Sequence, residues 1–126
     1  MRLLLDSHIL LWWADGSPQL GARAKTFLAA DGVRLFISAA SWWELSIKKA
    51  HGRLNVDLAA LGQELAIRGV DLIDIKFTHT EAAANLPPIH GDPFDRMLVA
   101  QATAEGLRLL TRDRQLKAYG PVVLHV

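Results

Sequence analysis

Leu3-Leu4-Leu5-Asp6-Ser7 is the stretch whose reading decides the architecture. Three consecutive bulky apolar residues with no polar alternation describe a strand buried on both faces, the habit of a central strand in a parallel sheet covered by helices. A carboxylate follows where that strand runs out. Ser7 is then placed to cap a helix over His8 to Ala14. Ligands of open α/β sheets bind beyond the carboxyl ends of the strands, so Asp6 stands where chemistry is usually done.

Working outward, the chain alternates strand and helix signals. Ala22 to Ala30 reads as a helix and Val33 to Ile37 as a strand, after which Ser41 starts a helix that runs through Lys49 and stops at Gly52. Asp57 caps a helix with Leu58, Leu61 and Leu65 on one face, ended by Gly69. Val70 to Ile75 is a short strand and Thr78 to Asn85 a short helix. A long helix over Pro93 to Glu105 starts on a proline suited to the first helical position and ends at Gly106. Leu107 to Thr111, Asp113 to Tyr119 and Val122 to Leu124 complete the pattern as strand, helix and strand. With no repeat and no linker, it predicts one α/β domain over residues 1–126 with a mostly parallel central sheet flanked by helices.

A chain of 126 residues with 51% hydrophobic composition can build a core of its own. It has no cysteine, which excludes a disulfide framework or thiolate metal site. No apolar run approaches the roughly 18 residues that span a membrane, so a cytoplasmic protein with no membrane contact is expected. A net charge of +1 excludes a global attraction to nucleic acid. Two local basic clusters, Lys48, Lys49, His51 and Arg53, then Arg108, Arg112, Arg114 and Lys117, read first as solvated helix ends.

Four acids stand out: Asp6, Glu44, Asp95 and Asp113, with Asp92 beside them. Singly each has a structural explanation. Ser41-Trp42-Trp43-Glu44 fits a capping box, Asp92-Pro93-Phe94-Asp95 a helix start, and Asp113 a cap for the last helix. Together they mean more, because Leu107 to Asp113 repeats the pattern of apolar strand followed by a carboxylate. Parallel strands bring both strand-end acids to one edge, and helices that leave that edge carry Glu44 and Asp95 there. Two carboxylates separated by about 5 to 8 Å repel by roughly 2 to 3 kcal/mol, so four uncompensated acids cost on the order of 10 kcal/mol, comparable with the stability of a whole domain. A divalent cation is the strongest remedy, and oxygen ligands favour Mg²⁺ or Mn²⁺. Such an ion serves hydrolysis of a phosphodiester.

These segments resemble a known family. Leu4-Leu5-Asp6-Ser7-His8 with Leu11-Trp12-Trp13, Ser38-Ala39-Ala40-Ser41-Trp42-Trp43-Glu44-Leu45 with Lys48 and Gly52-Arg53, His90-Gly91-Asp92-Pro93-Phe94-Asp95-Arg96-Met97-Leu98-Val99-Ala100-Gln101-Ala102, and Leu110-Thr111-Arg112-Asp113 together look like a PIN domain of the VapC toxin type. The resemblance covers essentially the whole chain. It implies a PIN-like three-layer fold and a Mg²⁺- or Mn²⁺-dependent endoribonuclease that cuts RNA and is inhibited by a cognate antitoxin protein. The implied ligands and catalytic acids are Asp6, Glu44, Asp95 and Asp113. Ser7 stands where the family more often has threonine and keeps the hydroxyl. Asp92 is a helix cap first, and Arg96 is left open between a phosphate and a neighbouring acid. A homodimer is expected. Of the adjacent pairs Trp12-Trp13 and Trp42-Trp43, one ring of each can enter the core while an exposed remainder suits a dimer or antitoxin contact.

Rival readings remain at this level. Two of the scattered histidines, His8, His51, His79, His90 and His125, could cut RNA as an acid–base pair without metal. Val70 to Ile75 superficially suggests the phosphoacceptor strand of a receiver domain, with Asp74 as acceptor. A PIN fold that binds without cutting is the third.

Overall fold

In a computed structural model describing residues 1–126, strand β1 (Arg2–Leu5) lies at the middle of a five-stranded sheet. Its neighbours are β2 (Arg34–Ser38) on one side and β4 (Arg108–Thr111) on the other, while β3 (Asp71–Ile73) and β5 (Val123–His125) form the edges. Every pairing is parallel. The helices are α1 (Ser7–Ala14), α2 (Ala22–Leu28), α3 (Ala39–Ala50), α4 (Leu58–Ile67), α5 (Phe77–Ala84) and α6 (Pro93–Glu105). Short 3-10 turns occupy Pro18–Leu20 and Arg114–Tyr119.

The leucine run explains the layering. Leu3 and Leu5 pack with Ile9, Leu45, Leu61 and Leu65 on one face, whereas Leu4 packs with Leu98, Val99, Ala102 and Leu116 on the other. All three are fully buried, each worth about 1.5 to 3 kcal/mol. Helices therefore cover both faces, as three unalternated leucines require.

The order β3-β2-β1-β4-β5 reverses direction between β1 and β4. A crevice opens outside the carboxyl ends of strands at such a reversal. The same order excludes the receiver reading, whose sheet runs 2-1-3-4-5.

Several helix starts differ from the sequence reading. Asp6, not Ser7, caps α1, its Oδ1 accepting the Ile9 N–H at 2.8 Å. α3 begins at Ala39 directly from β2, capped by the Ser38 hydroxyl that accepts the Ala40 N–H at 2.9 Å. Ser41 is thus inside the helix with its Oγ buried and unpartnered, and no capping box joins it to Glu44. The signal misleads because Ser38 and Ser41 both suit a cap, and the abrupt end of the strand selects the earlier one. The last helix is a 3-10 turn, and β3 is shorter than its apolar run.

Candidate active site

Asp6 and Asp113 reach the same corner because β1 and β4 are neighbours, with Leu5 opposite Leu110. Asp6 is buried, and its second oxygen, Oδ2, accepts the Thr111 hydroxyl at 2.5 Å. That hydroxyl also accepts the Asp113 N–H at 3.0 Å, so one side chain ties both strand-end acids. Burial pushes the Asp6 carboxyl above the usual carboxylate range, opposed by the bonds from Ile9 and Thr111. Asp113 caps the final 3-10 turn through the Gln115 N–H at 2.9 Å.

Glu44 arrives from the second turn of α3 rather than its start. Its Oε1 accepts the Ser7 hydroxyl at 2.9 Å, and its Oε2 lies 3.6 Å from the Lys48 ammonium one helical turn on. Ser7 therefore orients Glu44.

The third contribution comes from the start of α6. Asp92 caps it, its Oδ1 accepting the N–H groups of Phe94 at 2.8 Å and Asp95 at 3.3 Å. Pro93 supplies the first helical position and Asp95 the third. Burial pushes the Asp95 carboxyl up to about 7, reinforced by the charges of Asp92, Asp6 and Glu44 and opposed by His90. The acids are close enough for one of them to hold a proton near neutrality.

His90 joins this group. Its Nδ1 accepts the Asp92 N–H at 3.0 Å, which places the ring proton on Nε2, and Nε2 lies 3.2 Å from Asp113 Oδ2 and 3.7 Å from Asp95 Oδ2. On the sequence alone His90 is one of five scattered histidines. Its signal is its position two residues ahead of the helix cap, where a side chain can turn back onto the backbone. Thr111 likewise goes unnoticed in the sequence, although a hydroxyl two residues before Asp113 is a turn-forming arrangement.

Arg96 takes neither role left open for it. Its guanidinium donates to the carbonyls of Ala83, Leu86, Pro87 and His90, stapling the loop before α6.

A cleft of about 490 Å³ receives Asp6, Glu44, Asp92, Asp95 and Asp113. Ser7, His8, Trp12, Lys48 and Arg112 line it too. Oxygen atoms of Asp95 and Asp113 lie with a His90 nitrogen within 4.8 Å of one another. The structure thus places all four sequence-derived acids in one crevice at the reversal point of the sheet. The dense carboxylate oxygens can hold a hard cation.

Residues 3–120 match the PIN domain family. Ribonuclease VapC22 of Mycobacterium tuberculosis is 33% identical over 120 residues, covering 93% of this chain and 91% of that protein. The fold also matches a chain of the VapBC2 complex of Rickettsia felis, solved bound to promoter DNA, with TM-score 0.70, 19% identity and coverage of 100% of this chain and 98% of that one. A toxin-antitoxin complex from Klebsiella pneumoniae gives TM-score 0.68 at 24% identity over 97% of this chain and 95% of its own.

Proposed function

Because the chain belongs to the PIN-domain family, on its VapC branch, we propose that residues 1–126 form one PIN domain that acts as an endoribonuclease, the toxin of a toxin-antitoxin pair. The observation that carries this reading is the convergence of Asp6, Glu44, Asp95 and Asp113, from four separate segments, on one cleft. Those four carboxylates would hold Mg²⁺ or Mn²⁺, which the oxygen donor set and the absence of thiolates fit. The Asp95 carboxyl fits the same reading, since burial first, and then the neighbouring carboxylates, push it up to about 7, and a bound cation would relieve both. When bound, the ion supplies activation of a water for in-line attack on an RNA phosphodiester.

The chain's own residues set the geometry. Thr111 holds Asp6, and Ser7 with Lys48 holds Glu44. His90, whose Nδ1 accepts the Asp92 N–H, donates from Nε2 to Asp113 and so stands behind the carboxylates rather than among the ligands. An acid–base histidine pair has no support, because His90 faces carboxylates and His8, the histidine that lines the cleft, packs against Trp12.

The partners proposed are RNA, a cognate antitoxin and a second copy of the chain. A protein partner is supported by apolar surface: Trp43 is 61% exposed, stacked edge-on against Phe94, beside a groove of about 440 Å³ lined by Trp42, Leu65, Leu72 and Ile73. No helix is long and apolar enough to cross a membrane, and a cytoplasmic location is proposed with the toxin reading.

The test is cleavage of a cellular RNA pool by antitoxin-free protein with Mg²⁺ or Mn²⁺, with EDTA, and beside Asp6→Asn. Discrete cuts that need the ion and disappear in the variant are expected. Cutting that persists in EDTA or in Asp6→Asn sinks the carboxylate site, and absence of cutting by folded, ion-binding protein leaves a PIN module that only binds.

A further inference from the structure

The sum of charge, +1, conceals a separation in space. Acids crowd the cleft, while cations without carboxylate partners collect on the β5 side of it. Arg112 marks the boundary. It lines the cleft, yet forms no ion pair with any carboxylate there. Its guanidinium is held instead by the Gln19 carbonyl and by the Trp12 ring, whose centre lies 5.7 Å away. Four of its five N–H donors have no protein acceptor. A guanidinium fixed among acids but bonded to none of them is presented to an anion from outside.

Beyond Arg112 the basic surface continues. The Arg112 carbonyl accepts the Nε2–H of His125 at 3.1 Å, and His125 sits opposite Thr111 on the neighbouring strand. His125 in turn lines a pocket of about 300 Å³ with Arg23, Arg108 and Lys117, and no acid takes part in that lining. Arg108 reaches the Pro121 carbonyl, whereas Arg23 and Lys117 have no side-chain acceptor, Arg23 lying over Phe27. At the cleft end, exposed His8 lies tilted against Trp12 with ring centres 5.6 Å apart, two rings on which an unpaired base can settle.

We propose that Arg112 and the Arg23–Arg108–Lys117 pocket form a track for the sugar–phosphate backbone of single-stranded RNA where it leaves the acidic cleft. The track rests on the ribonuclease reading. Arg112 takes the phosphate next to the cleft, and the pocket takes a later one. Neither needs a particular base, so the track adds affinity for longer strands without reading sequence.

The experiment measures binding of a fluorescent 12-nucleotide single-stranded RNA and a 4-nucleotide one across a salt series, in an Asp6→Asn background that does not cut. Each phosphate that is no longer neutralised lowers the salt slope by about 0.7, so losing both phosphate contacts in the combined Arg23→Gln, Arg112→Gln and Lys117→Gln variant should lower it by about 1.4 for the longer strand and weaken its binding about tenfold or more. The 4-nucleotide strand should be weakened less. A control carrying the same charge change elsewhere, Arg34→Gln, Arg53→Gln and Lys76→Gln, should keep the wild-type slope, and thermal melting checks that both sets fold. If the track variant keeps the wild-type slope, or the control falls by as much, the track is wrong while the nuclease stands. If the wild-type chain makes no ion-dependent cut in RNA, the ribonuclease reading fails and the track with it.

Discussion

The protein contains two histidine–carboxylate pairs built to the same local plan, and only one faces the cleft. His79 accepts the Lys76 N–H on Nδ1 at 3.0 Å and gives its Nε2–H to Glu105 at 2.8 Å. His90 accepts the Asp92 N–H on Nδ1 at 3.0 Å and gives its Nε2–H to Asp113 at 3.2 Å. The surroundings differ. His79 is 1% exposed and ties the start of α5 to the end of α6, with the Lys76 ammonium 3.5 Å from the same carboxylate. Charge is balanced there, and the His79 bond, chiefly, holds Glu105 below its ordinary range. His90 stands among Asp92, Asp95 and Asp113, and Asp95 beside it is pushed up to about 7. One geometry thus locks a helix where charge is balanced and buttresses the cleft's carboxylates where it is not.

The sharpest way to break this comparison is to neutralise each acid. Asp113→Asn should lower RNA cleavage by about a thousandfold or more, the several kcal/mol a metal centre supplies, whereas Glu105→Gln should leave it within about twofold. Equal losses would show that both pairs serve the fold alone.

Asp95 offers the next largest effect, read in metal-free protein by urea unfolding at several pH values. Its folded pKa, about 7, exceeds the unfolded 3.8, so its contribution is fully present below 3.8 and is lost as pH rises through 7. Asp95→Asn should therefore match wild type near pH 4 and exceed it above pH 7 by about 2 to 4 kcal/mol. A gain independent of pH would disprove the raised Asp95 carboxyl.

Replacing the histidines separates the two pairs further. His79→Ala should destabilise the fold by about 2 to 3 kcal/mol, because it leaves the Lys76 N–H and Glu105 without their buried partner, and should not change divalent-ion affinity. His90→Ala should reduce ion affinity about 10- to 100-fold, as loss of a group behind metal ligands does, with a smaller effect on melting. Isothermal titration with Mn²⁺ and thermal melting of both variants read the contrast.

The smallest effect concerns Glu105. Its folded pKa is depressed, so its stabilising contribution is present above the unfolded 4.5 and fades as pH falls through the lower folded value. The melting temperature of wild type should approach that of Glu105→Gln only in that acid range, and a difference that persists to the lowest pH would remove charge from the account of this pair.

The layered sheet was legible because Leu3, Leu4 and Leu5 carry a signal that needs no partner to interpret. The acids were legible for a related reason: Asp6 and Asp113 end strands, and Asp92 with Pro93 announces a helix start. Glu44 reaches the cleft by a route other than the sequence suggests, since its helix starts earlier and it faces the cleft from the second turn. Arg96 and Arg112 could not be told apart on the chain, each a cation beside an aspartate. Folding bonds one to four carbonyls and holds the other at a cleft.

By itself, the sequence determined which segments are strands and helices, that both faces of the sheet are covered, and which acids gather at its carboxyl edge, because periodicity, capping and strand ends are encoded within a few neighbouring residues. Only the tertiary structure decided that Thr111 bonds Asp6 across 105 positions, that His90 rather than His79 stands behind the acids, and that Arg112 is left free of them. Those pairings depend on which strands become neighbours and on how far burial strips each charge of water, and neither is written in any one stretch of the chain.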